Sequence, residues 1–214
     1  MGIVFGTISA EMPAFKVIAT TPIYEIRIVP PRIAATVTDR ISDNSAFPIL
    51  AGYIGVTSAP KNEQGTSISM TAPVVKEPTQ MLTPQMGGIV TNTGFGDGDM
   101  SMAFLLPSKY KSVDDCPIPQ DPRIKLISHD ETTIAALAFS GRVTEEIVRH
   151  RLSQLLKAVE QDELIQTQET KAQAPKWQVA QYNPPFTIPF LRRNEIWLFL
   201  EDVTEEKLSK LRKA

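Results

Sequence analysis

Proline sets the scale of any structure this chain can build. Seventeen prolines are spread through 214 residues, roughly 8% where ~5% is usual. A proline lacks the backbone N–H and its ring clashes with the preceding helical turn, so it ends or bends regular elements. Pro30-Pro31, Pro184-Pro185 and the series Pro107, Pro117, Pro119, Pro122 cut the chain into short segments, and long helices should be few. The length allows one large domain or two small ones. A chain of this size buries roughly 70% of its unfolded surface and needs no disulfide to hold a core.

Charge and rare residues exclude several classes. Lys+Arg is 22 and Asp+Glu 24, a formal charge of −2, which argues against nucleic-acid binding by bulk basic charge. A single cysteine, Cys116, permits no internal disulfide and no multi-cysteine metal cluster, and points to a reducing compartment. Two histidines cannot make a three-histidine metal site. The start, Met1-Gly2-Ile3-Val4-Phe5-Gly6-Thr7, has neither the basic-then-apolar pattern of a secretory leader nor a transit-peptide composition. Gly2 is a near miss for myristoylation, since Gly6 stands where Ser or Thr is wanted. No run approaches the ~18 apolar residues of a membrane span. The expectation is a soluble cytoplasmic protein.

Between the prolines, periodicity places the elements. Ile23–Val29 alternates, with Tyr24, Ile26 and Ile28 opposite Glu25 and Arg27, and predicts a half-buried strand; Arg32–Asp39 continues as a second. Ser45 is placed to cap a helix over Ala46–Val56, with Pro48 in its first turn. Phe47, Leu50, Ala51 and Ile54 make one face, and Ile49, Tyr53 and Val56 much of another. A surface helix needs one apolar stripe, so this excess implies burial on two sides or a ligand surface. Alternation predicts strands over Ile68–Val74 and from Met100 to Leu106, with Lys76–Asp99 between them as a mobile loop. Further strands fall near Arg123–Ser128, Thr132–Phe139, Trp177–Tyr182 and Glu195–Leu200. Thr144 caps a helix with Glu145 and Glu146 in its first turn and Ile147, Val148, Leu152, Leu155, Leu156 and Val159 in one stripe. The tail from Val203 to Ala214 suits a short amphipathic helix.

The order strand, helix, strand, strand runs from Ile33 to Leu106 and again from Ile134 to Leu200, each copy opening on Ile-Ala-Ala. A duplicated α+β unit follows as the expectation, with two halves, about 14–110 and 123–201, closing one domain over 1–214.

Several blocks in fixed order resemble the SOUL haem-binding proteins, over about Phe15 to Glu201. They are Tyr24-Glu25-Ile26-Arg27 before the proline pair, Phe47-Pro48-Ile49-Leu50-Ala51-Gly52-Tyr53-Ile54-Gly55, and Ser69-Met70-Thr71-Ala72-Pro73-Val74. Phe104-Leu105-Leu106-Pro107, Pro117-Ile118-Pro119, Ala180-Gln181-Tyr182-Asn183-Pro184-Pro185-Phe186 and Arg193-Asn194-Glu195-Ile196-Trp197 complete the set. The Met-Thr-x-Pro-Val strand is the most specific of these, and the opening residues resemble the plant and algal cytosolic branch. The resemblance implies a distorted eight-stranded antiparallel β-barrel with two main helices, built from two pseudo-repeats. It implies reversible binding of haem or another tetrapyrrole in a shallow apolar groove between the first helix and the loop before the last strand. Those elements are Ala46–Val56 and Asn183–Asn194, the two segments with surplus apolar content.

A porphyrin asks for a flat apolar wall, cations for two propionates and, in many proteins, an axial ligand. The candidate wall is Phe47, Ile49, Leu50, Tyr53 and Ile54 with Phe186, Ile188 and Phe190; Arg192 and Arg193 are the candidate propionate partners through forked donors. Most of the apolar set could equally be core, and the arginines an ordinary loop end. His150 falls opposite the apolar stripe of its helix and His129 in a turn, so both read as surface histidines, and the axial ligand stays unassigned. Cys116-Pro117 resembles the thiolate ligand of some haem sensors, but Asp114 and Asp115 oppose a thiolate there. The functional expectation is a non-enzymatic carrier, buffer or sensor. The alternatives are an enzyme that modifies or degrades bound haem, and a protein-interaction module using the tail helix or the 76–99 loop. No nucleotide, calcium-loop or serine-hydrolase signature supports another enzyme class.

Overall fold

The computed structural model describes residues 2–38, 43–78, 100–165 and 175–212. Among these, nine strands form one antiparallel sheet: β1 (Lys16–Thr20), β2 (Glu25–Val29), β3 (Arg32–Val37), β4 (Val74–Pro78), β5 (Met100–Leu105), β6 (Ile124–His129), β7 (Thr132–Phe139), β8 (Trp177–Gln181) and β9 (Asn194–Leu200). The helices are α1 (Asp43–Ile54), α2 (Glu145–Gln161) and α3 (Glu205–Leu211). None is long and apolar enough to cross a membrane.

The strand order is β1-β2-β7-β9-β8-β4-β5-β3-β6, open between β1 and β6. The expected closed eight-stranded barrel is therefore corrected to an open nine-stranded sheet. The unforeseen strand is β1, short and mostly exposed, which pairs outside β2 and forms one edge. The sheet nonetheless curls strongly. Arg32 on β3 donates to the Thr132 hydroxyl on β7 at 3.1 Å, although five places separate the two strands.

Alternation sorts the strand residues onto two faces. On the outer face, Ala135, Leu137, Ile196 and Leu198 pack under Val148, Leu152, Leu155 and Val159 of α2. Ala35, Val37, Met102 and Phe104 pack under Leu50, Ala51 and Ile54 of α1. The inner face gathers Ala34, Ala103, Ala136 and Ala180 with Ile134, Leu105 and Trp197. Small side chains there let the curled strands approach, and Ile8, Ala10 and Phe15 of the N-terminal segment cover the rest.

The α2 reading holds: Thr144 accepts from the Ile147 N–H at 3.4 Å. The α1 reading shifts. The helix begins at Asp43, so Ser45 lies inside it and Pro48 beyond its first turn. The strand expected over Ile68–Val74 begins only at Val74. Pro73 has no N–H to give a ladder, and Ala72 N donates instead to Glu11 O at 2.8 Å. Of the expected 76–99 loop, residues 76–78 belong to β4 and 79–99 lie outside the described residues. The tail helix forms as α3, capped by Thr204. Its Arg212 donates twice to Ile18 O, at 3.1 and 3.2 Å, across the β1 edge.

Candidate functional site

The loop between β8 and β9 holds three prolines, which take three backbone donors out of it. Backbone and side-chain hydrogen bonds together hold it. Asn183 Oδ1 accepts Arg193 N at 2.8 Å, and Tyr182 N donates to Arg193 O at 3.1 Å, closing the loop at its base. Arg192 Nε donates to Thr187 O at 2.8 Å, and its Nη2 to Pro185 O. A 3₁₀ turn over Pro189–Leu191 follows. Thr187 is buried by this arrangement while Phe186 and Phe190 are turned out, 64% and 71% exposed.

A second 3₁₀ turn, Gly2–Phe5, docks beside the loop. Val4 O accepts Ile188 N at 3.1 Å, and Gly6 O accepts Asn183 Nδ2 at 3.2 Å. Gly6 has φ +84°, and a Cβ there would lie 2.7 Å from Leu191 O, so this approach requires glycine. The result adds Phe5, 62% exposed, and the exposed Val4 and Leu191 to the surface. The sequence candidates Phe186, Ile188 and Phe190 lie on this surface, and Val4 and Phe5 join it from outside the candidate set. Their one signal was an Ile-Val-Phe run ahead of any strand.

The α1 candidates are placed differently. Leu50, Tyr53 and Ile54 are fully buried and Ile49 half-buried. The second apolar face of α1 is covered by its own connections: Tyr53 OH donates to Pro117 O at 2.7 Å, Asn62 Nδ2 to Tyr53 O at 3.0 Å, and Ile68 N to Ile54 O at 3.0 Å. Burial on two sides, the first of the two implications drawn from this helix, is what the structure has. Phe47 alone stays substantially exposed, with its ring edge-on to Phe104 at 5.3 Å. The structure thus joins the loop residues to the N-terminal turn and ties the α1 residues to β3 and β5.

The two arginines are already engaged. Arg193 donates Nε and Nη2 to Glu195 Oε1, at 3.0 and 2.6 Å, and lies over the Tyr182 ring at 4.2 Å. Glu195 is wholly buried. Its Oε2 accepts from Arg27 Nη1 (2.9 Å), Tyr182 OH (2.9 Å) and Trp197 Nε1 (2.6 Å). Burial alone would push this carboxyl up, but the Arg27 charge, hydrogen bonds from Arg27 and Trp197, and Arg193 hold it below the ordinary carboxylate range. Arg27, read from alternation as solvent-facing, is itself buried, paired with Glu25 and Glu195 and capped by the Phe15 ring at 4.3 Å. The β2 face expected to be wet is the inner face of the curled sheet.

Neither histidine joins this surface. His150 is exposed on α2. His129 ends β6 beside Arg32 and is half-buried, not a plain surface residue; burial and the Arg32 charge lower its pKa. It adjoins the Thr133/Leu200 end of β7 and β9, while the loop sits at their Phe139/Asn194 end, about 20 Å along the strands. Cys116 is buried, and burial with Asp115 nearby pushes its thiol up to about 11, which disfavours a thiolate ligand. Among the described residues no three His, Cys, Asp or Glu side chains cluster to hold a metal.

A profile of the SOUL heme-binding protein family matches residues 10–199. The chain belongs to that family. Heme-binding protein 1 of Sus scrofa is 28% identical over 164 residues, which span 75% of this chain and 74% of the relative. Heme-binding protein 1 of Bos taurus is 26% identical over 165 residues, 76% and 74% of the two chains. Among solved structures, the EcmrR C-terminal domain superposes with a TM-score of 0.51 at 12% identity, covering 89% of this chain and 99% of that one. An uncharacterized conserved protein from Listeria innocua gives 0.53 at 14% identity, covering 86% and 94%. These structural likenesses carry the SOUL chain's fold and nothing about its ligand.

Proposed function

We propose that this SOUL-family chain binds haem, or a related tetrapyrrole, reversibly on the apolar surface of the β8–β9 loop and the N-terminal turn, as a carrier or buffer. The single observation that carries the reading is the trio of exposed rings, Phe5, Phe186 and Phe190, held outward by a loop whose backbone is pinned on every side. Family membership and the names of the two relatives support haem as the ligand.

The residues present suit a porphyrin's face better than its metal. Covering three largely exposed phenylalanines stabilises a complex by roughly 1–2 kcal/mol each. Val4, Ile188 and Leu191 extend the wall, which suits an affinity in the micromolar range, about 8 kcal/mol. A bound haem would bring iron chemistry, and no histidine of this surface is available to ligate it. Of the α1 set, Phe47 is exposed enough to touch a ligand, while Leu50, Tyr53 and Ile54 act by holding the helix. Arg192 fixes the loop with two donors and keeps Nη1 for a propionate. An open surface favours exchange, hence a carrier or buffer over a sensor.

We further infer one domain made of two related halves. The support is the mirrored order β3-β5-β4 and β7-β9-β8 about the β4/β8 pair, each half with a helix after its first strand. A reducing, cytoplasmic setting rests on the lone buried cysteine.

The test is a hemin titration followed at the Soret band. Saturable one-to-one binding at micromolar protein, weakened in Phe190→Ala with unchanged circular dichroism, is expected. Absence of saturation overturns the reading.

A further inference from the structure

A tetrapyrrole that carries two carboxylates needs two cations at the rim of its site, and the loop's own arginines are mostly engaged, Arg192 keeping Nη1 for one of them. Arg193 Nε and Nη2 point to Glu195, and Arg192 holds Thr187 and Pro185 carbonyls. A third arginine comes from elsewhere in the chain. The turn between β7 and α2 is fastened to the β8–β9 loop on both sides of Gly141: its N donates to Pro189 O at 2.9 Å, and its O accepts Asn194 Nδ2 at 3.1 Å. Gly141 has φ +101°, a conformation that favours glycine and lets the chain turn away from β7 at this point. The next residue, Arg142, is held within one side-chain length of the Pro189–Phe190 step.

Arg142 is exposed, and among the described residues its guanidinium has no hydrogen-bond or ion-pair partner. The nearby Glu145 is taken by Arg149, leaving Glu146 as the other exposed carboxylate of that helix turn. We propose that Arg142 receives a carboxylate of the tetrapyrrole bound on the β8–β9 loop, a role that rests on the binding reading above. Its planar fork suits a carboxylate, and its backbone is fixed relative to the apolar wall before any ligand arrives. The two-point fastening at Gly141 is what distinguishes it from the other exposed cations.

The experiment compares hemin with iron mesoporphyrin dimethyl ester, which offers the same apolar face without carboxylates. Both are delivered from one co-solvent to wild type, Arg142→Gln and Arg142→Lys. Arg142→Gln is expected to weaken hemin about three- to tenfold and to leave the ester unchanged. Arg142→Lys should recover part of the loss, and added salt should narrow the gap. Equal loss for both porphyrins, or no loss for hemin, overturns the assignment while a saturable wild-type titration leaves the binding reading intact. A wild type that binds neither porphyrin overturns both.

Discussion

Glu195→Gln is the sharpest perturbation of the frame beneath the loop. The carboxylate is wholly buried and accepts five donors, from Arg27, Tyr182, Trp197 and twice from Arg193. A glutamine keeps the shape but removes the charge and turns one acceptor into a donor. If its oxygen keeps the Arg27, Tyr182 and Trp197 bonds, its amide faces two Arg193 N–H groups, and Arg193 must leave for solvent. Arg27 then stays buried with only Glu25, itself partly exposed. Breaking a buried pair from one side costs about 3–5 kcal/mol. With a urea m-value of about 2 kcal/mol/M, the midpoint should fall by about 2 M. Fluorescence of the buried Trp177 and Trp197 reports the transition. The pH dependence has a definite sign. The folded carboxyl sits below its ordinary 4.5, so the wild-type advantage is complete above pH 4.5 and fades as pH falls through the lower folded value. A midpoint shift under about 0.5 M, the size of one ordinary hydrogen bond, would refute the reasoning. So would a gap between the two proteins that widens in acid.

Three other outcomes follow from the same geometry. Phe186→Ala with Phe190→Ala should weaken hemin by about 30–1000-fold while moving the unfolding free energy by under about 0.5 kcal/mol, measured by Soret titration and urea melts. Leu50→Ala should do the reverse: a loss of about 2–5 kcal/mol of stability, with hemin affinity of the folded protein retained. His129→Ala and His150→Ala should each leave the hemin dissociation constant within about twofold, since neither belongs to the wall.

Much of the fold was legible because local rules agreed with the tertiary outcome. Thr132–Phe139 and the Thr144 cap were read to the residue, since a β-branched run and an N-cap with acidic neighbours each have one good solution. The elements that escaped are those whose reasons lie far away in sequence. The strand β1 is a short exposed edge with no clear alternation, fixed by β2 and by Arg212 from the far end of the chain. Arg27 looked like an outward polar position because nothing local says that the sheet curls and buries its second face. The site divided along the same line. Prolines and rings marked the β8–β9 loop in the sequence. The placement of Val4 and Phe5 beside that loop depends on hydrogen bonds between residues more than 170 positions apart. The surplus apolar face of α1 was a true signal, and the proline-rich connections at Pro117 and Ile68 turned it into core.

The most direct test of the central claim is an amide hydrogen-exchange footprint of the full chain with and without hemin. Exchange is expected to slow across residues 2–7 and 183–192, with a smaller effect at 141–142. Protection confined to α1 or to the β6 end near His129, with the β8–β9 loop unchanged, would contradict the account.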